Sequence, residues 1–167
     1  MFHIRLMQSA DLRAVVRLQD HCYAERFYEA PQVVSQRLML YPQSCWVAVY
    51  QDKIWGYLFS YPSKLSHINP LGAEFGQYEQ ANCLYLHDLA VSPDARGQGV
   101  ATALLQTAQA YASTLELSYL TLVAVQNSAA FWQQQHFTLE PALPLSAQQA
   151  LATYGDKAVY LARALAA

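Results

Sequence analysis

The segment Leu89-Ala90-Val91-Ser92-Pro93-Asp94-Ala95-Arg96-Gly97-Gln98-Gly99-Val100-Ala101-Thr102 constrains the fold more than any other. It reads as the end of an apolar strand, a loop with one arginine and two glycines, and the start of a helix. The chain has only 6 glycines, so two of them one residue apart mark a place where backbone turns or approaches a ligand closely. A strand feeding a helix in this way is half of a βαβ unit, which requires a parallel strand pair in the sheet. The helix N-terminus offers unpaired N–H groups and the positive end of the dipole, a combination that binds phosphate. Arg96 adds a charge-assisted donor. The implied ligand is an anion, a pyrophosphate above all.

The rest of the chain supplies the other elements. Phe2–Leu6 reads as a strand, and Ser9 as an N-cap with Asp11 in the first turn. Leu12, Val15, Val16 and Leu18 give helical spacing through Gln19, and Pro31 opens a second helix carrying Val33, Val34, Leu38 and Leu40. Cys45–Tyr50 and Ile54–Tyr61 form a hairpin about Asp52-Lys53, and Pro62–Gln80 is a long loop of the kind that often serves function. Leu84–Val91, apolar on both faces, is a central strand. A helix over Gly99–Ala112 and a strand over Tyr119–Val125 complete the βαβ unit. A helix over Ala129–Gln135, a short strand over Phe137–Leu139, a helical turn over Ser146–Thr153 and a strand over Lys157–Leu165 follow. The fold class is α/β: a mixed, mostly antiparallel sheet with one parallel pair, flanked by helices, in a single domain over residues 1–167.

Composition narrows the function. Hydrophobic residues make up 54% and charged residues 13%, which excludes disorder. A net charge of -2 argues against a nucleic-acid partner. No apolar run suits a membrane span, and no signal peptide opens the chain, so a cytoplasmic protein is expected. The 3 cysteines (Cys22, Cys45 and Cys83) show no metal or disulfide spacing, and no metal is expected. A homodimer is left open.

Three readings of the glycine loop compete: a plain turn, a dinucleotide site and a coenzyme A site. Gly97-Gln98-Gly99-Val100-Ala101-Thr102 loosely mimics a dinucleotide fingerprint, but Gln126 and Asn127 stand where an acidic residue would hold the ribose. Arg96, Gly99 and Ala101, after Leu-Ala-Val and a proline, resemble the [RQ]-x-x-G-x-[GA] signature of the GNAT superfamily of acyl-CoA-dependent N-acetyltransferases. Asn127-Ser128-Ala129-Ala130-Phe131-Trp132-Gln133-Gln134-Gln135-His136-Phe137 is similar to that family's second conserved stretch, with Trp132 at a tyrosine position and His136 at a glycine position. The likeness over Leu84–Thr102 leans toward the aralkylamine and polyamine enzymes.

The resemblance implies a splayed strand pair with acetyl-CoA as co-substrate. Its arm would lie along Leu89, Ala90 and Val91, with a backbone N–H near Leu89 polarising the thioester. The pyrophosphate would lie on Arg96, Gly97, Gln98, Gly99, Val100, Ala101 and Thr102, with Asn127 and Phe131 flanking the arm. His87 is the candidate general base, since it has a suitable intrinsic pKa and lies four residues before Val91. Tyr85 shares its face as a relay or pocket wall. Asp88, alternating to the opposite face, reads as an anchor for a neighbouring element rather than a group that touches the amine, and is kept third among the catalytic candidates. Tyr23, Phe27 and Tyr28 form an aromatic wall for a small-molecule amine, with Glu25, Glu29, Glu74 and Glu79 as attractors of its charge. The implied reaction is acetyl transfer from acetyl-CoA to a primary amine within one ternary complex. The alternatives are a non-catalytic CoA-binding module and a protein N-terminal or lysine acetyltransferase.

Overall fold

Tertiary pairing turns these segments into one sheet. The computed structural model describes residues 1–166. The elements are β1 (His3–Leu6), α1 (Leu12–Cys22), α2 (Pro31–Leu40), β2 (Cys45–Tyr50), β3 (Lys53–Ser63), β4 (Cys83–Val91), α3 (Val100–Thr114), β5 (Tyr119–Ala124), α4 (Ala129–Gln134), β6 (Thr138–Leu139), α5 (Leu145–Ala152) and β7 (Val159–Ala164). Seven strands lie in the order β1-β2-β3-β4-β5-β7-β6. Every pairing is antiparallel except β4 with β5, as the strand–loop–helix reading requires.

Side-chain alternation sends two sets of apolar residues to opposite faces of the sheet. Leu58, Leu84, Leu86, Leu120 and Leu122 meet Val100, Leu104, Leu105 and Ala108 of α3. Val47, Tyr57, Phe59, Tyr61 and Tyr85 meet Val15, Leu18, Val34 and Leu38 of α1 and α2. A third cluster joins α5 to Tyr160 and to Ile68 of the β3–β4 loop. Gly56 sets the seat of α3: a Cβ there would lie 2.9 Å from the Ala90 carbonyl oxygen and 2.9 Å from Val100 Cγ1.

β4 carries two irregularities. Its parallel pairing with β5 stops at Leu86–Leu122, so His87 to Val91 have no partner on that side. On its other side Ser60 pairs with Leu86 and Phe59 with Asp88, which leaves His87 as the extra residue of a β-bulge.

Several boundaries differ from the sequence reading. β3 runs through Pro62 to Ser63. Pro62 lies beyond the last β2 pair, Cys45–Phe59, so its missing N–H removes no ladder bond to β2. α1 runs past Gln19 to Cys22, and between it and α2 there is only a short turn of helix at Glu25–Phe27. The backbone of Gln8 donates to Asp11 Oδ2 at 2.8 Å, and Asp11 also pairs with Arg5, so Asp11 fastens the start of α1 to β1.

His136 takes the place of the glycine that would end α4. Its N–H donates to the Gln133 carbonyl, the Phe137 N–H donates to the Trp132 carbonyl, and the Trp132 and Phe137 rings meet at 5.4 Å. This is a Schellman closure, and it holds the exposed His136 at φ +70°. The turn is kept at the expense of left-handed strain on an L side chain. His136→Gly is therefore expected to stabilise the fold by about 1 kcal/mol in denaturant unfolding, with activity unchanged.

Candidate active site

Where β4 and β5 part, a cleft of about 450 Å³ opens between them. Arg96 and Ala101 line one end, Ser128, Phe131 and Trp132 one side, and Tyr23, Phe27, Glu29, His87, Asp88 and Tyr154 the interior. The carbonyl of Leu89 accepts from the Tyr23 hydroxyl at 3.0 Å, and that of Val91 from Cys22 Sγ at 3.4 Å. A strand residue's N–H and C=O point the same way, so the Leu89 and Val91 amides also turn from β3 toward the gap. That edge can pair with an extended ligand.

At the mouth, Gly97 (φ +76°) and Gly99 (φ +82°) both take left-handed conformations, and α3 begins directly after them. Both glycines face open space. The first N–H groups of α3 have no helical acceptor, and Arg96 stands exposed beside them. The Val100 side chain is buried in the core, so only its backbone can serve a ligand. Asn127 (φ +60°) lies outside the cleft lining, while Phe131 is within it. Residues of this kind fit coenzyme A: amides and one guanidinium for phosphates, and the strand-edge N–H groups of Leu89 and Val91 for the carbonyls of its arm.

In the interior, His87 Nε2 lies 2.9 Å from Glu29 Oε1, and Glu29 Oε2 accepts from Arg37 Nη2 at 2.5 Å. All three side chains are at most 4% exposed. Arg37 also donates to the Ala73 carbonyl and lies over the Phe75 ring. Burial alone would raise the Glu29 carboxyl, but His87 and Arg37 outweigh it and hold it well below the usual carboxylate range. An ionised carboxylate only accepts, so in the neutral ring Nε2 carries the proton and Nδ1 keeps its lone pair. Nδ1 is buried without a partner. Glu29 is thus an orienting partner for His87, not a free attractor of substrate charge.

The bulge overturns the expected alternation at Asp88. Asp88 Oδ2 accepts from the Tyr57 hydroxyl at 2.8 Å, and Tyr57 belongs to the α1–α2 face that also holds Tyr85. His87 and Asp88 therefore share one face. Asp88 Oδ1 has no partner, and burial raises this carboxyl above its ordinary range.

Other expected residues fall elsewhere. Tyr85 is buried behind His87 among Tyr61 and its neighbours, outside the cleft lining, because its ring fills the core under β3. Tyr28 points to solvent and donates to the Asp20 carbonyl. Glu25, Glu74 and Glu79 are exposed and outside the lining. The sequence reading missed Arg37, Tyr57, Tyr154 and Gln126; the last ties the chain after α1 to the end of β5 by accepting from the Ala24 N–H. Arg37 did leave a signal, for it stands three residues after Val34 and beside Leu38 on the buried stripe of α2. Among the described residues no group of three or more His, Cys, Asp or Glu could hold a metal ion, and no helix is long and apolar enough to cross a membrane.

Because the Glu29 carboxyl is depressed, its stabilisation is fully present above its ordinary value and is lost as pH falls toward the folded one. Glu29→Gln should cost about 3–5 kcal/mol at neutral pH. The gap between wild type and variant should narrow from about pH 5 to pH 3 in thermal melts.

Comparison with known proteins agrees with this geometry. The family model described as "Acetyltransferase (GNAT) family" matches residues 12–137. No curated protein matches the chain. Among solved structures, Ard1 from Thermoplasma volcanium superposes with a TM-score of 0.75 at 16% identity, covering 99% of each chain. The ribosomal-protein-S18-alanine N-acetyltransferase from Escherichia coli gives 0.68 at 16% identity, over 100% of this chain and 96% of that one. N-acetylglutamate synthase from Neisseria gonorrhoeae, complexed with coenzyme A and N-acetyl-glutamate, gives 0.68 at 18% identity, over 100% of this chain and 36% of that one. With its strand order, its one splayed parallel pair and a family match from α1 to the end of α4, this chain belongs to the GNAT acetyltransferase family.

Proposed function

We propose that the protein transfers an acetyl group from acetyl-CoA to the primary amine of a small molecule, with His87 as general base. The observation that carries this reading is the Glu29–His87 pair inside the splayed cleft: Nε2 is fixed by a carboxylate and Nδ1 is left free. An amine must lose a proton before it attacks, and an oriented imidazole lone pair takes it. The Leu89 N–H stands in the strand gap to polarise the acyl carbonyl. Arg96 and the amides of Gly97 to Thr102 hold phosphates, and when bound acetyl-CoA supplies the thioester acyl group.

The leaving thiolate also needs a proton. Trp132, at the family's tyrosine position, is buried against Phe137 and its indole N–H is no useful acid. Tyr23 and Tyr154 both line the cleft. Tyr23 is the better placed, because its hydroxyl sits on the Leu89 carbonyl at the strand edge. We assign it the acid role. Trp132 also favours a second reading, a module that binds CoA without catalysis.

An amine panel with thiol release as readout separates the two. Turnover with at least one small amine supports the enzyme; CoA binding with no turnover on the whole panel supports the module. His87→Ala should cut kcat by about 10²-fold or more with CoA affinity nearly intact, and equal rates would remove His87 as the base. Arg96→Ala should weaken CoA binding by about 1 kcal/mol, read by titration calorimetry, since an exposed guanidinium is partly screened.

A further inference from the structure

We propose that the acceptor is a small primary amine with a single positive charge and an apolar tail, docked as its ammonium against the free Oδ1 of Asp88. This rests on the acetyltransferase reading above and names the substrate class of the same site.

Three observations carry it. The first is an unmatched acceptor. Asp88 Oδ2 is held by Tyr57, while Oδ1 is buried, faces the His87 side of β4 and has no donor. The Tyr23 hydroxyl lies within reach of both the Asp88 carboxyl and the Leu89 carbonyl, and its one proton cannot serve both. A carboxylate oxygen in such a place awaits a donor, and a cationic one best. His87, on the same face and lining the same cleft, keeps Nδ1 unmatched, so an ammonium there has one group to balance its charge and another to take its proton.

The second is the charge balance. Among the described residues only Glu29 and Asp88 bring carboxylates to the cleft wall. Glu29 is already matched by Arg37 and His87. One negative charge remains, which balances one ammonium and leaves a second cationic group unpaired away from water.

The third is the wall. The β3–β4 loop folds over the interior: Arg37 donates to Ala73, Tyr154 donates to Asn69, the Leu71 N–H donates to Thr153 Oγ1, and Phe75 meets the His87 ring at 5.1 Å. Phe27, Leu71 and Tyr154 face the cleft there. Such a wall suits an apolar tail better than the polar backbone of an extended peptide.

The test measures kcat/KM by thiol release at saturating acetyl-CoA for phenethylamine, diaminobutane, spermidine and a short peptide with a free N-terminus. It compares wild type with Asp88→Asn. The monoamine is expected to exceed the other three by about tenfold or more. Asp88→Asn is expected to raise the monoamine KM by about tenfold, with CoA affinity unchanged and Tm unchanged or higher. Equal use of diamine, polyamine or peptide would overturn the proposal. So would an unchanged KM in Asp88→Asn, or a lowered Tm with weakened CoA binding, which would mark Asp88 as a structural anchor. A wild type that binds CoA but acetylates no amine sinks the acetyltransferase reading itself, and the proposal with it.

Discussion

At His87 the sheet spends one more residue on β4 than on β3, and the site depends on that residue. Without the bulge, strict alternation would put Asp88 against α3 among leucines, where a carboxylate has no partner. With it, His87 and Asp88 face the same interior, and β4 leaves its pairing with β5 at the same point. One local irregularity therefore places two titratable groups together and coincides with the opening of the cleft in front of them. Bulges beside active sites often re-aim side chains in this way.

The groups so gathered are costly to bury, and the surroundings bear unequal shares. Glu29 has a guanidinium and an imidazole, and its burial is matched. Asp88 has the Tyr57 hydroxyl and at most a share of the Tyr23 hydroxyl, with no cation, and its burial is not. Such a difference is what a site needs if one carboxylate is to orient a base and the other to meet a substrate. The cofactor end works by another means. On the proposed reading low overall charge is no obstacle there, because helix-terminal amides after Gly97 and Gly99 would supply most of the anion-binding groups and Arg96 a guanidinium on the cleft lining.

Much of the framework was legible in the chain. The strand–loop–helix at Leu89–Thr102 announced the parallel pair, and apolar periodicity located β2, β4, α3 and β5 to within a residue or two. Legibility ended where a property belonged to pairing rather than to local sequence. Nothing in Leu86-His87-Asp88-Leu89 signals a bulge, since register against β3 creates it. Glu29 is 58 residues from His87, and no spacing rule links them. Pro62 stopped the reading of β3 too early because the register of β3 against β2, which ends at Cys45–Phe59, could not be seen. At His136 an L residue stands at a glycine position, yet the backbone keeps the turn and carries the left-handed strain.

The most direct test of the account is the protonation site of the neutral His87 ring, read by nitrogen-15 NMR of the imidazole. The structure predicts a proton on Nε2, held by Glu29, and a bare Nδ1, with that preference lost in Glu29→Gln. A neutral ring protonated on Nδ1, or a tautomer indifferent to Glu29, would contradict it.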